Sequence, residues 1–273
     1  MFKKKLIRCA KVLILLYCVI GIAWFYGQEK LLFHPVAVDR KLAYTFNQPF
    51  TELNIPYDAV SNLNVIRFRA TDRPADSLAK GVVLYFHGNS TGISRYAPAA
   101  ADFTAKGYEV WMPDYPGFGK STGTFNEKKL YEYALLFYKL ARSRWSPVRI
   151  ILYGGGLGTG IAAQLASVRD CRRLILESPA YSLTSVVRRY LFLYPLGSML
   201  HYHFPTNEYL PAVAAPITIF QGDEDGTVPY SNASRLKPLL KKGDEFVTVP
   251  GAGHNDLRDK ALFRQKLDSV LAL

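Results

Sequence analysis

Cysteine is scarce: the 273 residues hold three, and two of these, Cys9 and Cys18, lie near the N-terminus. Only Cys171 lies beyond, so the folded part can form no internal disulfide, and a cysteine-based zinc site lacks its ligands. Low-complexity sequence and internal repeats are missing as well. With 49% apolar residues and only 20 Gly and 16 Pro spread along the chain, disordered and collagen-like classes are excluded. No zinc-finger, helix-turn-helix or RNA-binding signature accompanies the net charge of +12. Lys3, Lys4, Lys5, Arg8 and Lys11 supply five of those charges, and the others scatter over expected helix faces and turns such as Lys128/Lys129 and Arg188/Arg189. Nucleic acid is therefore not an expected partner.

Charge is absent altogether from Val12 to Gly27. As a helix this run spans about 24 Å, and its flanks make up the difference from a hydrocarbon core of about 30 Å. Basic residues precede it, and Trp24, Phe25 and Tyr26 close it as an interfacial belt. The positive-inside rule then puts the N-terminus in the cytoplasm and the folded part on the far side, in the periplasm of a bacterial host. Residues 1–27 are thus read as a single-pass anchor whose partner is the lipid bilayer. A cleaved signal peptide is the rival, because Gly21 and Ala23 loosely fit a cleavage site, but bulky Trp-Phe-Tyr would follow it. A lipid anchor on Cys18 is disfavoured by Tyr17 before it.

Beyond a juxtamembrane stretch (28–50), residues 51–273 alternate short apolar runs with amphipathic stretches. Strands are expected at 63–70, 82–86, 108–113, 148–153, 173–177, 216–221 and 245–250, with helices at 94–106, 127–145, 157–168, 231–242 and 259–271. Apolar strands alternating with helices give an α/β class with a mostly parallel sheet covered on both faces, whose chemistry collects at the C-terminal strand ends. The aromatic-rich interval 180–215 is longer than an ordinary connection and is read as a small cap or, alternatively, a crossover with core aromatics.

Three strand-end loops stand out, at His87-Gly88-Asn89, Asp225 and Gly253-His254, together with the glycine-rich turn Tyr153 to Gly160. A strand–turn–helix G-x-S-x-G elbow followed by an acid and then a histidine is the order of nucleophile, acid and base in α/β-hydrolases. Here Gly154 to Gly158 has that spacing with Gly156 where the serine belongs. The motifs YFHGN (85–89), MPDYPGFGKSTG (112–123), YGGGLGTGIAA (153–163), LILESP (174–179), QGDEDGTVP (221–229) and GAGHNDL (251–257) resemble the α/β-hydrolase family, in particular its membrane-anchored, Bem-type, serine-aminopeptidase-like branch. The resemblance covers residues 28 to 271 and implies an α/β-hydrolase fold, with Asp225 as the acid, His254 as the base, and the backbone N–H groups of Asn89 and Leu157 as oxyanion donors. It also implies a small acyl or ester ligand and no cofactor.

The chain departs from the family's pattern close to this site. Gly155 and Gly156 replace Arg-Ser, Pro116 replaces an Arg, and Gln221 replaces a His. Without a hydroxyl at position 156 no acyl-enzyme can form there. No other residue fits the elbow: Cys171 starts its strand at the wrong end of the sheet, Thr159 should face the core, and Ser178 and Ser90 are expected to hydrogen-bond locally. The glycines do not form a nucleotide loop, because Thr159 occupies the sixth position and no Lys follows, although Glu177 lies near the ribose-binding spacing. His201 and His203 among tyrosines are read as packing rather than as metal ligands. Two functions remain open: a hydrolase of carboxylic esters, thioesters or lipid acyl groups with acid and base retained but nucleophile missing, or an inactive relative that binds an acyl ligand or a protein partner.

Overall fold

The continuous apolar runs become strands of one sheet in the computed structural model, which describes residues 2–72 and 78–272. Its eight strands are β1 (Phe50–Pro56), β2 (Asn62–Phe68), β3 (Gly81–Phe86), β4 (Tyr108–Pro113), β5 (Ile150–Gly155), β6 (Arg173–Glu177), β7 (Ile217–Gly222) and β8 (Glu245–Val249). They lie in the order β8-β7-β6-β5-β3-β4-β2-β1, all parallel except β2, which runs against both neighbours. Strands β3, β5 and β7 are buried at every position, as expected for strands covered on both faces.

Helices α2 (Glu127–Arg142) and α3 (Gly158–Val168) pack on one face, where Phe137, Ile161 and Leu165 meet Trp111 and Leu152. Helix α2 starts at Asn126, whose side chain accepts a hydrogen bond from the Lys129 N–H at 2.8 Å. Its Leu130, Tyr133, Ala134, Phe137 and Ala141 form the helical-period stripe that faces the core. The other face is covered by residues 93–104 and the C-terminal helix (Ala261–Ala272), where Phe103 and Phe263 join Tyr153 and Phe220.

Several element boundaries differ from expectation. Strand β1 went unread, because it is an edge strand with half-exposed positions that pairs only with β2. The helix expected at 94–106 is broken into short turns around Pro98, and the one expected at 231–242 is mostly a 3₁₀ turn containing Pro238. The interval 180–215 holds three short helices, the first being α4 (Leu183–Val187). Tyr202 and Phe204 are buried in the core, whereas Tyr190 and Phe192 are exposed.

Helix α1 (Phe2–Leu32) continues past Gly27, since Gln28 to Leu32 supply helix formers and the first breaker is Pro35. The segment after it is tied down. His34 and Pro35 pair with Ser90 and Thr91, and the Val38 N–H reaches the Gly119 carbonyl at 2.7 Å.

Glycines of the β5–α3 turn fall into two groups. A Cβ at Gly154 or Gly158 would collide with backbone of Gly158 and Thr159, or of Phe86 and His87. At Gly155 the nearest atom to an added Cβ is the Tyr85 hydroxyl, 3.8 Å away. Gly158→Ala should therefore lower unfolding stability by about 3 kcal/mol or more, whereas Gly155→Ala should raise it by about 0.4–1 kcal/mol. Denaturant unfolding of both variants checks this, and equal effects would contradict the packing described.

Candidate active site

Strand β5 ends in the centre of the sheet, and the turn after it carries Gly156 at φ 51°, a left-handed conformation that glycine adopts without strain. The turn is held from both sides. The Gly156 N–H donates to the Glu177 carbonyl at 2.9 Å, and the Thr159 hydroxyl and N–H both donate to the Gly156 carbonyl. A Cβ added at Gly156 would stand 3.6 Å from His254 Nε2 and 3.8 Å from Gly88 Cα, ordinary contact distances. The space for a side chain directed at the imidazole is thus present.

His254 and Asp225, 29 residues apart in sequence, meet through a 2.8 Å bond between Nδ1 and Oδ2. A carboxylate can only accept, so Nδ1 carries the hydrogen and Nε2 is left facing Gly156. Asp225 is buried, and its Oδ1 accepts from the N–H groups of Thr227 and Val228 at 2.9 and 2.8 Å. Gln221 donates to Oδ2 at 3.2 Å, so its side chain touches the Asp225 carboxylate directly. Burial alone would raise the Asp225 carboxyl. The hydrogen bond and charge of His254, with the two backbone N–H groups, outweigh it and hold the carboxyl below its usual range.

Asn89 and Leu157 flank the same point. Among the described residues no hydrogen bond occupies either backbone N–H, which leaves both free for an oxyanion. The Asn89 side chain is engaged elsewhere, donating to the Leu32 carbonyl at the end of α1 at 2.7 Å.

Two cavities meet at Gly156 and His254. One, about 300 Å³, is walled by Leu31, Leu32, Leu157, Leu183, Val186 and Phe204. The other, about 460 Å³, is the more polar of the two and includes Arg95, Tyr96, Glu177, Ser178 and Arg258. Gly155 borders the second cavity.

Several of these residues were not foreseen. Leu31 and Leu32 lie in the segment read as a juxtamembrane linker. Arg258, four residues after the base, bonds to Asp102, Glu177 and Tyr153. Burial would lower its pKa, but the facing carboxylates and tyrosines more than reverse this, so its charge is locked in.

Ser178 corrects an expectation. Its hydroxyl was expected to bond locally; it is instead buried without a partner among the described residues, on a residue at φ 52°. Thr159 is buried, as read. The Cys171 thiol lies at the start of β6, and burial pushes it up to about 12, which removes it as a nucleophile. His201 packs edge-on to Phe25, and His203 Nδ1 pairs with the Thr184 hydroxyl at 3.2 Å. Among the described residues no group of three or more His, Cys, Asp or Glu could hold a metal ion.

Comparison with known proteins bears on the fold that carries this arrangement. The serine aminopeptidase S33 family model (Hydrolase_4) matches residues 77–209. An uncharacterised protein of Mycobacterium tuberculosis is 33% identical over 176 residues, 64% of this chain and 63% of that one. Human alpha/beta hydrolase domain-containing protein 17C is 28% identical over 193 residues, 70% of this chain and 57% of that one. The chain thus spans about three-fifths of the length of the curated relatives it matches. An esterase of Pyrococcus furiosus superposes with a TM-score of 0.67 at 16% identity, over 88% of this chain and 98% of that one. Est1E of Butyrivibrio proteoclasticus, solved with ferulic acid, gives 0.65 at 17%, over 81% of this chain and 98% of that one. At these identities the structures show the fold alone, and the fold is that of the α/β-hydrolases.

The lowered Asp225 pKa has a definite sign. Its ionised form contributes stability that is complete above about pH 4–5 and is lost as pH falls through the folded-state value. Wild type should therefore exceed Asp225→Asn in stability at neutral pH, and the gap should close as pH falls through the lowered folded-state pKa. Unfolding curves across that range measure it; a gap independent of pH would show that no ionised carboxylate is being stabilised.

Proposed function

We propose that this chain, which has the α/β-hydrolase fold, is a membrane-anchored binder of ester, thioester or lipid-acyl groups that hydrolyses them only slowly, without an acyl-enzyme. The observation that carries the reading is Gly156. His254 paired with Asp225, and the unbonded N–H groups of Asn89 and Leu157, lie around a position with no hydroxyl, which supports roles as base, acid and oxyanion donors.

The two cavities divide the ligand. The apolar one accepts the acyl chain and the polar one the leaving group, so the carbonyl lies at their junction, beside Gly156. Its oxygen takes hydrogen bonds from the N–H groups of Asn89 and Leu157 as negative charge develops. Water entering the space a serine side chain would fill attacks the carbonyl carbon while its proton passes to His254 Nε2. Asp225 holds the ring in the required tautomer and stabilises the imidazolium. Collapse of the tetrahedral species breaks the bond to the leaving group, which takes the proton back from Nε2, and the products are the acid and the alcohol or thiol.

Such a route retains on the order of 10³–10⁴ over the uncatalysed reaction, far below a complete triad. In this reading α1 spans the membrane with its N-terminus in the cytoplasm and the domain on the other side. The support is the length and apolar character of α1 and the basic residues at its start.

The full-length protein should give no fluorophosphonate adduct by intact mass. Hydrolysis of p-nitrophenyl esters should be slow, lack a burst and disappear in His254→Ala. A burst, or an adduct on Ser178 or any other serine, would overturn the reading. Saturable ligand binding with no His254-dependent turnover would reduce it to binding alone.

A further inference from the structure

Helix α1 does not simply lead into the domain; it is packed along its second half by residues 190–202. The rings of Tyr17 and Tyr194 stack with centroids 4.4 Å apart and planes 2° from parallel. The Tyr17 hydroxyl donates to the Leu193 carbonyl at 3.2 Å, and the Tyr194 hydroxyl donates to the Tyr17 carbonyl at 2.8 Å. Gly21 lets the Tyr194 ring approach, since an added Cβ would stand only 2.9 Å from it. Further along, Gln28 donates to the Met199 carbonyl at 3.0 Å and accepts from the His201 N–H at 2.8 Å. From Tyr17 to Gln28 this contact extends about 16 Å along the helix. Most of it falls within the uncharged run that ends at Gly27.

The strand of chain lying against that run is itself apolar and open. Tyr190, Phe192 and Leu193 are 66%, 70% and 67% exposed. Arg188 and Arg189 precede them and, with Arg235, border a cleft of about 860 Å³ whose lining holds no carboxylate. Neither tyrosine hydroxyl in the contact is left unpaired, which is the condition for polar groups within hydrocarbon.

We propose that Tyr190–Tyr194 is a membrane-inserting loop. It enters the domain-side leaflet beside α1 and places Arg188, Arg189 and Arg235 against anionic headgroups. The inference rests on the reading of α1 as a spanning helix. The depth is consistent with the chemistry: Tyr17 lies seven residues before Trp24 of the interfacial belt, about 10 Å along the helix, and interfacial elements enter about 5–10 Å. Basic residues at the rim of such an element gain from anionic lipid. One consequence concerns the apolar cavity. Helix α4 runs directly into this loop, and its Val186 borders both the arginine cleft and the cavity that reaches His254. Helix α4 therefore links the inserting loop to the wall of the apolar cavity.

Nitroxide accessibility tests the insertion. The full-length chain with Cys9, Cys18 and Cys171 changed to Ala is labelled at Leu193→Cys, Leu13→Cys or Val148→Cys and placed in vesicles of phosphatidylcholine and phosphatidylglycerol in equal parts. Leu13 reports the spanning helix, and Val148, exposed at the opposite end of the sheet, reports water. The Leu193 label should collide with oxygen in preference to a water-soluble nickel chelate, several-fold more than the Val148 label and close to the Leu13 label. Aqueous accessibility at Leu193 with Leu13 in lipid would overturn the insertion and leave the anchor standing. Aqueous accessibility at both would remove the anchor, and the insertion with it. In pure phosphatidylcholine the Leu193 label should become shallower; an unchanged depth would strike the arginine contacts from the proposal.

Discussion

Backbone lying directly on backbone, with no side chain between, is the contact on which this site depends. At the start of α3, Gly158 sits against the carbonyls of Phe86 and His87, and Gly154 sits equally close to Gly158 and Thr159. That approach pins the first turn of the helix beneath the loop after β3, so Leu157 and Asn89 border the same cavity. It also forces the turn between β5 and α3 to be sharp, with Gly156 in a left-handed conformation opposite His254. None of this uses the side chain at position 156. A residue without a hydroxyl at that position is therefore compatible with the ordered His254–Asp225 pair beside it.

A second set of contacts couples this centre to the N-terminal helix. The Asn89 side chain satisfies a carbonyl at the end of α1, where helices leave such groups unpaired, and the Asn89 carbonyl accepts from the His34 N–H. Leu31 and Leu32 then form part of the apolar wall. The N-terminal helix, the loop after β3 and the apolar cavity are therefore one connected structure. The polar side is held by different means: Arg258 bridges Asp102 and Glu177 beneath the second cavity and gives it a fixed positive charge among carboxylates and tyrosines.

Much of this was legible in the sequence, for physical reasons. Parallel strands buried on both faces must be apolar throughout, so β3 and β5 to β7 stand out as continuous runs. The site loops stand out because an elbow demands glycines at fixed spacing, and Gly154 and Gly158 have that spacing on either side of Gly156. Strand β1 was not legible, since an edge strand needs only one apolar side and its Asn54 and Pro56 read as loop. The broken helices at 93–104 and 230–239 follow from prolines whose effect on a helical pattern is local. Arg258, Asp102 and Glu177 lie far apart in the chain, and the cavity wall formed by Leu31 and Leu32 arises from packing across the whole domain. No short-range pattern encodes either. Ser178 was misread because a strand-end serine usually finds a local partner, and here the left-handed backbone turns it away from one.

The central claim is that only the hydroxyl is missing. Gly156→Ser tests it most directly: full-length variant protein is treated with a fluorophosphonate, and the adduct is mapped by peptide mass. The side chain fits between His254 and Gly88, and its left-handed backbone should cost about 1–2 kcal/mol of stability, leaving the fold intact. The account expects a covalent adduct at position 156 that vanishes when His254→Ala or Asp225→Asn is added. A folded Gly156→Ser protein that stays unlabelled would contradict it, and would mean that the oxyanion loop or the acid–base pair no longer supports catalysis.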